Sequence, residues 1–313
     1  MPVPGRKNIS RAKLHRGMDK KKLRKLLIGD FTVKRLVRSL IFVYVSILLF
    51  AYFFSDRMIF LFQPHSYSDN PQILKIKTAN GKNISAVYLS KPDAEFTILY
   101  NHGNAEDIGD ILDFLEVFRD KGFSVFVYDY RGYGTSGGRT TEENTYEDAD
   151  AAYEYLVKEL KISPDRIIVH GRSVGGALAM HIASRQKVAG LVLESSFVTA
   201  FRVITHIPLL PFDKFKNIDK IKKVECPVLV IHGRSDKLVP FWHGEKLFEA
   251  ANEPKLKLWV DSAGHNDLVL VADNSYWDML KRFTDLTGTL RQRQKNKRYE
   301  QTQLHAQRFA ENR

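Results

Sequence analysis

Cysteine is almost absent from this sequence, since Cys226 is the only one among 313 residues. A single cysteine excludes an intrachain disulfide framework, a CxxC redox pair and a zinc site built on several thiolates. Independently of this, we expect no metal site and no bound cofactor. The chain also shows no internal repeat, and its 44% apolar content is sufficient for one large domain with an ordinary core.

Excess positive charge is missing from the middle of the chain, although the formal net charge is +12. Residues 1–39 carry thirteen Lys or Arg against two acidic residues, and residues 288–313 carry seven against two. The segment between them is mildly acidic, with a net charge of −4. A domain that binds nucleic acid needs a basic face, so we expect no nucleic-acid partner.

Charge is also missing from residues 40–54, LIFVYVSILLFAYFF. Fifteen helical residues span about 22 Å, which is less than the roughly 30 Å of a bilayer core. Leu36 and Val37 extend the span if Arg38 snorkels to the lipid headgroups. A buried core helix would carry a polar face, whereas this run shows none apart from Ser46.

The flanks of the apolar run favour an uncleaved signal anchor over residues 36–54. A cleaved signal peptide is disfavoured, because a long charged region precedes the run and no A-x-A site follows it. Lys and Arg are concentrated in a basic tail over residues 1–35, which predicts a cytoplasmic N-terminus. We therefore expect a single-pass membrane protein whose remaining domain faces the periplasm, the cell exterior or a lumen.

Short β-like runs alternate with amphipathic stretches after the anchor. The predicted strands are 73–77, 85–89, 96–100, 124–130, 166–170, 190–195, 227–233 and 256–261, and the predicted helices are 106–121, 145–160, 174–186, 242–252 and 273–286. This alternation predicts an α/β fold with an eight-stranded, mostly parallel sheet, helices on both faces and an antiparallel pair at its start. We assign this domain to residues 55–287 and a polar, basic C-terminal extension to residues 288–313.

A serine follows the fifth predicted strand, near the carboxyl edge of the sheet, where ligands bind in such folds. Residues 171–175, GRSVG, match G-x-S-x-G between a strand and a helix. The glycines suit a strained turn that lifts the Ser173 hydroxyl clear of the sheet. The motif alone is also compatible with a tight turn that has no catalytic role.

Two more polar residues follow predicted strands, Asp236 after the seventh and His265 after the eighth. A serine hydroxyl needs a base to accept its proton, and that base needs a carboxylate to fix its tautomer. Ser173, Asp236 and His265 occur in the chain order of a hydrolase triad. Taken singly, Asp236 fits a helix N-cap and His265 a loop residue, but their joint placement favours a catalytic triad.

With these motifs the sequence resembles the α/β-hydrolase superfamily, in particular its short-lidded membrane hydrolases with one span, which include mammalian α/β-hydrolase-domain proteins and fungal and bacterial relatives. The resemblance covers residues 56–286. It is carried by DRMIFLFQP, NHGNAED, DYRGYGTSGG, GRSVGG, LESSF, HGRSDKLVP and SAGHND. It implies a serine hydrolase in which Asp236, and not Asp129, is the carboxylate partner of His265.

The NHGNAED segment lies where such hydrolases form the oxyanion hole. We expect the backbone N–H groups of Asn104 and Val174 to stabilise the oxyanion, and His102 to be a packed residue at the strand end. Glu106 departs from the family pattern, in which glycine is commoner at this position. A carboxylate so close to an oxyanion would be unfavourable unless it pointed to solvent.

Residues 197–223, between the sixth and seventh strands, are sufficient for a small lid and too few for a cap domain. Within them Ile207, Leu209, Leu210 and Phe212 form an apolar strip. These side chains either contact an acyl substrate or only pack the lid onto the sheet.

Two functional classes remain open from the sequence. The first is a membrane-anchored serine hydrolase that cleaves esters or thioesters of a small-molecule or lipid acyl substrate through an acyl-enzyme. The second is a serine peptidase or amidase that uses the same triad, because the pocket decides which bond is cleaved. A non-catalytic scaffold that only retains the fold is a third and more remote interpretation.

Overall fold

The computed structural model describes the backbone of residues 32–311 and the side chains of residues 32–303. Most of the basic tail assigned to residues 1–35 and the end of the C-terminal extension lie outside the described residues. The chain divides into two units, residues 1–54 and 55–313. The predicted site residues all belong to the second unit.

The first described helix, α1 (Val33–Ile59), includes the predicted anchor at residues 36–54. It is long and apolar enough to cross a membrane, by length and composition only. The helix extends five residues beyond the apolar run, and its last turn belongs to the second unit. There Asp56 forms an ion pair with Lys214 at 3.2 Å.

The second unit contains the predicted eight-stranded sheet. Its strands are β1 (Leu74–Lys77), β2 (Asn83–Leu89), β3 (Thr97–Asn101), β4 (Ser124–Tyr128), β5 (Ile167–Arg172), β6 (Gly190–Glu194), β7 (Val228–Gly233) and β8 (Lys255–Val260). They are ordered β1-β2-β4-β3-β5-β6-β7-β8. β2 pairs antiparallel with β1 and β4, and all other neighbours are parallel. The predicted sheet is confirmed, with each strand boundary within two residues of its predicted position.

Helices cover both faces of this sheet, as predicted. They are α2 (Ile108–Asp120), α3 (Glu142–Lys158), α4 (Gly175–Ala183), α5 (Arg202–Thr205), α6 (Asn217–Lys220), α7 (Trp242–Ala250), α8 (Leu268–Ala272) and α9 (Asn274–Glu311). The apolar faces of α3, α4 and α7 pack in one buried cluster, and those of α2, α8 and α9 pack in the other. Alternate residues of the central strands contribute to opposite clusters, since Ile167 and Val169 belong to the first and Ile168 to the second.

Helix α9 is much longer than the predicted helix over residues 273–286. The residues that follow contain no proline and are mostly good helix formers, so nothing ends the helix at that point. Arg291 also attaches this part of the helix to the domain through an ion pair with Asp165 at 2.7 Å. The described part of the C-terminal extension is therefore a continuation of α9.

The segment between β6 and β7 has the small size that the sequence predicts for a lid. It contains the two short helices α5 and α6 and a single 3-10 turn at Ile221–Lys223. Asp213 holds its first part together, since this side chain accepts hydrogen bonds from the Thr199 hydroxyl at 2.6 Å and the Phe201 N–H at 2.9 Å. The segment begins after the carboxyl end of β6 and leads back to the start of β7.

Candidate active site

Ser173 lies in the sharp turn between β5 and α4. Its φ of +54° is a left-handed conformation that residues other than glycine seldom adopt. Side chains would obstruct the turn, because a Cβ on Gly171 would lie 2.3 Å from the Gly175 carbonyl oxygen and one on Gly175 would lie 2.1 Å from the Asn101 carbonyl oxygen. The Ser173 N–H donates to the Glu194 carbonyl at 2.8 Å, which attaches the turn to β6. The strained turn expected from the motif is therefore present.

The three residues of the predicted triad lie together, with His265 within hydrogen-bonding distance of both Ser173 and Asp236. Ser173 Oγ lies 3.0 Å from His265 Nε2, and His265 Nδ1 lies 2.7 Å from Asp236 Oδ2. When Nδ1 carries the proton, the imidazole donates to the carboxylate and Nε2 is available to accept the serine proton. This arrangement can activate the hydroxyl as a nucleophile.

Asp236 has two structural tasks, one for each carboxylate oxygen. Its Oδ1 accepts the backbone N–H groups of Leu238 and Val239 at 2.9 and 2.8 Å, which stabilises an Asx-type turn. Asp236 is not the helix N-cap that the sequence also allowed, because α7 begins at Trp242 and its N-cap is Phe241. Its Oδ2 faces His265, and His232 Nε2 lies 3.5 Å from the same oxygen. Burial raises the pKa of Asp236, but the interactions with His232 and His265 outweigh burial and hold this pKa well below its usual range. The carboxylate is therefore ionised at neutral pH.

The two backbone groups predicted for the oxyanion hole come from the residue after Ser173 and from the loop after a neighbouring strand. Val174 is the N-cap of α4, and Asn104 lies in the loop after β3, the strand next to β5. Within the described chain, neither the Val174 N–H nor the Asn104 N–H donates a hydrogen bond to another group. Their assignment to an oxyanion hole stays a prediction, and both donors are available for it.

The side chain of Asn104 attaches its loop to the end of α1 and to the segment that follows it. Its Nδ2 donates to the Ile59 carbonyl at 2.6 Å, and its Oδ1 accepts the Leu61 N–H at 3.1 Å. The same Oδ1 accepts the Tyr133 hydroxyl at 2.6 Å. The side chain is thus used for structure, which leaves the backbone N–H as the part of this residue that could contact a substrate.

His102 and Asp129 form a separate buried pair. His102 is fully buried and stacks on Tyr130, with ring centroids 4.1 Å apart, as expected of a packed strand-end histidine. Asp129 Oδ1 lies 3.5 Å from His102 Nε2, and Asp129 Oδ2 accepts the Tyr67 hydroxyl at 2.5 Å. Burial raises the pKa of Asp129 to about 8. His265 is therefore paired with Asp236, while Asp129 contacts other groups.

Glu106 does not point to solvent, although a carboxylate this close to the predicted oxyanion site was expected to be unfavourable unless it did. Its Oε2 forms an ion pair with Arg172 Nη1 at 2.7 Å, and its Oε1 accepts the Gly103 N–H at 2.5 Å. The paired guanidinium compensates the negative charge beside the predicted oxyanion site. Sequence reasoning overlooked Arg172, although an arginine inside the G-x-S-x-G motif is a signal that the serine turn carries a fixed charge.

The predicted lid residues differ in exposure. Ile207 is 58% exposed and Leu209 is 54% exposed, whereas Leu210 and Phe212 are half-buried. Phe212 packs against Phe201 with ring centroids 5.9 Å apart. Contact of these four side chains with a substrate stays a prediction.

The chain is similar to known proteins, and these similarities show its family. A family model described as serine aminopeptidase, S33, matches residues 92–212. The α/β hydrolase domain-containing protein 17B of Homo sapiens is 38% identical over 211 residues, which cover 66% of this chain and 73% of the human protein. Protein 17C of Mus musculus is 36% identical over 219 residues, covering 69% of this chain and 68% of the mouse protein. The chain belongs to the α/β-hydrolase superfamily.

Solved structures show the same α/β-hydrolase fold at low sequence identity. An esterase of Pyrococcus furiosus aligns with a TM-score of 0.61 and 19% identity, covering 72% of this chain and 98% of the esterase. An esterase of Exiguobacterium antarcticum aligns with a TM-score of 0.54 and 16% identity, covering 67% and 98% of the two chains. Together with the two relatives, they confirm the superfamily and fold that the sequence motifs predicted.

Proposed function

We propose that this α/β-hydrolase is a membrane-anchored serine hydrolase that cleaves carboxylic esters or thioesters of acyl or lipid-like substrates. The observation that carries the proposal is the chain of contacts from Ser173 through His265 to Asp236, at 3.0 and 2.7 Å. The left-handed backbone of Ser173 and the two unused N–H groups of Asn104 and Val174 support it. All of these features lie at the carboxyl edge of the parallel strands, where such sheets bind ligands.

The proposed reaction uses two acyl transfers. Ser173 Oγ attacks the acyl carbon while His265 Nε2 accepts the hydroxyl proton, and the N–H groups of Asn104 and Val174 stabilise the oxyanion. The tetrahedral intermediate collapses to the acyl-enzyme, and His265 returns the proton to the departing alkoxide or thiolate. His265 then deprotonates a water molecule, which attacks the acyl carbon of the acyl-enzyme; when this second tetrahedral intermediate collapses, His265 returns the proton to Ser173 Oγ, and the acid and the free serine are released. Asp236 stabilises the imidazolium in both steps.

A peptidase or amidase is the alternative function, and one observation favours it. The matching family model is described as a serine aminopeptidase, and the triad geometry is suitable for amides as well as esters. We prefer ester or thioester hydrolysis because the predicted lid residues form an apolar strip and the first unit contains an apolar helix. Both features suit an acyl substrate.

A fluorophosphonate probe tests the nucleophile. We expect the full chain to be labelled and Ser173→Ala to lose labelling completely, because the probe reacts only with an activated serine. Ser163→Ala is the matched control, since Ser163 is an exposed serine that precedes β5 at the opposite edge of the sheet. Equal labelling of Ser173→Ala and wild type would contradict the proposal. Turnover of p-nitrophenyl acyl esters against aminoacyl p-nitroanilides then separates an esterase from a peptidase.

Membrane anchoring and orientation form a separate part of the proposal. The Lys and Arg excess lies before α1, which favours a cytoplasmic N-terminus and a second unit on the other side of the membrane. Protease added to intact cells or spheroplasts should therefore remove the second unit and leave a small N-terminal fragment, detected through an N-terminal epitope. Sealed microsomes extend the same test to a lumenal domain. Complete digestion from the cytoplasmic side of sealed vesicles would reverse the proposed orientation.

A further inference from the structure

Arg172 is the second residue of the serine motif and the last residue of β5. Its side chain is mostly buried, with 17% of its surface exposed. Burying a guanidinium is costly unless its donors are paired. Its partners therefore indicate what the arginine does at this position.

The guanidinium reaches three different segments at the carboxyl edge of the sheet. Nη1 donates to Glu106 Oε2 at 2.7 Å, in the loop after β3. Nη2 donates to Asn266 Oδ1 at 2.9 Å, in the loop after β8. Nε lies 3.6 Å from Glu194 Oε1, at the end of β6. One side chain thus connects three segments that are remote in sequence.

Two of these segments carry proposed catalytic groups. Asn266 directly follows His265, so its contact with Arg172 restrains the loop that carries the base. Glu106 uses its second oxygen to accept the Gly103 N–H at 2.5 Å, which fixes the backbone immediately before Asn104. The loop from Gly103 to Glu106 has little freedom, because Ala105 within it is held at a φ of +58°.

We propose that Arg172 is a positioning residue, which sets the oxyanion loop through Glu106 and the histidine loop through Asn266 relative to the serine that follows it in the chain. The inference rests on the proposed serine hydrolase function. Arg172 and Ser173 are adjacent, so a loop that is held by Arg172 is also held at a fixed distance from the nucleophile. If the contact with Arg172 is lost, the distance between that loop and Ser173 can change. Arg172 itself does not contact the reacting atoms in this scheme.

The planar fork of arginine is needed for this task. Its two Nη atoms donate in different directions to Glu106 and Asn266, while a lysine presents one compact ammonium group. Lysine at this position can retain one of the two contacts. Arg172→Lys should therefore be intermediate between wild type and a variant that has no charge.

The test measures ester turnover and inhibitor binding in the full-length chain. Arg172→Met is expected to lower kcat by about 10²-fold with little change in KM, as small displacements of reacting groups do. The affinity for a trifluoromethyl ketone, which mimics the oxyanion, should fall in parallel with kcat/KM. Asn266→Ala should lower kcat in the wild-type background and have little further effect in Arg172→Met.

Arg166→Met is the matched control, because Arg166 precedes the same strand at its other end and donates to backbone carbonyls of Ala94 and Glu95. It should leave kcat and inhibitor affinity unchanged even where it lowers the melting temperature. Unchanged kcat in folded Arg172→Met, or unchanged inhibitor affinity while kcat falls, would overturn the inference. If Arg172→Met does not fold, unchanged kcat in both Glu106→Gln and the exposed Asn266→Ala overturns it equally. A wild-type chain without ester turnover would instead refute the proposed function.

Discussion

Replacing Ser173 or His265 by alanine is expected to lower kcat for an ester substrate by on the order of 10⁶-fold. The serine hydroxyl and the imidazole are 3.0 Å apart and act in one step, so each is ineffective without the other. The double variant should therefore be no slower than either single variant. Single-turnover and steady-state rates on a p-nitrophenyl ester measure this non-additivity.

The two single variants and the double variant should remain folded. Ser173 and His265 lie after strand ends at the candidate active site and are not part of the buried apolar clusters. Equal melting temperatures, within a few degrees, provide the control. If the double variant were slower than wild type by the product of the two separate effects, the two residues would act independently, and the proposed base would then be wrong.

Asp236→Asn is expected to lower kcat by roughly 10⁴-fold, the second largest effect. The amide keeps an oxygen that can accept the N–H groups of Leu238 and Val239, so the turn is retained. It loses the charge that stabilises the imidazolium, and its NH₂ group facing His265 favours the wrong tautomer. The pH profile of kcat and the melting temperature should be recorded for the same preparation.

Asp129→Asn is the matched comparison for this prediction. Because burial raises the pKa of Asp129 to about 8, this group is mostly protonated at pH 7, and the change to a neutral amide alters little charge. Loss of one hydrogen bond to Tyr67 or Ile108 should cost about 1–3 kcal/mol of stability with little loss of kcat. Full turnover in Asp236→Asn together with loss of turnover in folded Asp129→Asn would show that the triad is assigned to the wrong carboxylate.

The sheet could be predicted from the sequence because its buried strands are short apolar runs with polar residues after them. The parallel strands β3 to β7 are covered on both faces, so their hydrophobic pattern is nearly continuous and easy to recognise. The end of α9 could not be predicted in the same way. Helix propensity in polar residues is a weak signal, and the contact between Arg291 and Asp165 that attaches this helix joins residues 126 positions apart.

The proximity of Ser173, His265 and Asp236 could be predicted for a different reason, since they follow three strands whose ends must meet at one edge of the sheet. The contacts of Glu106 were not predictable, because they depend on the direction of a side chain and on the position of Arg172, 66 residues away. The alternative roles of Asp236 were also inseparable in sequence. In the structure Asp236 caps no helix, and one of its oxygens accepts the turn N–H groups of Leu238 and Val239 while the other contacts His265.

The contacts of Asn104 also determine where the chain can be shortened for study as a soluble enzyme. A truncation that begins after Leu61 removes the carbonyl of Ile59 and the N–H of Leu61, both of which hold the Asn104 side chain. It also removes Phe60, a buried residue whose ring packs against Tyr133 at 6.4 Å. Such a fragment would keep Ser173, Asp236 and His265, but the loop of Asn104, which carries a predicted oxyanion donor, would lose these contacts. The shortest useful fragment therefore begins at Ser55, where the second unit begins.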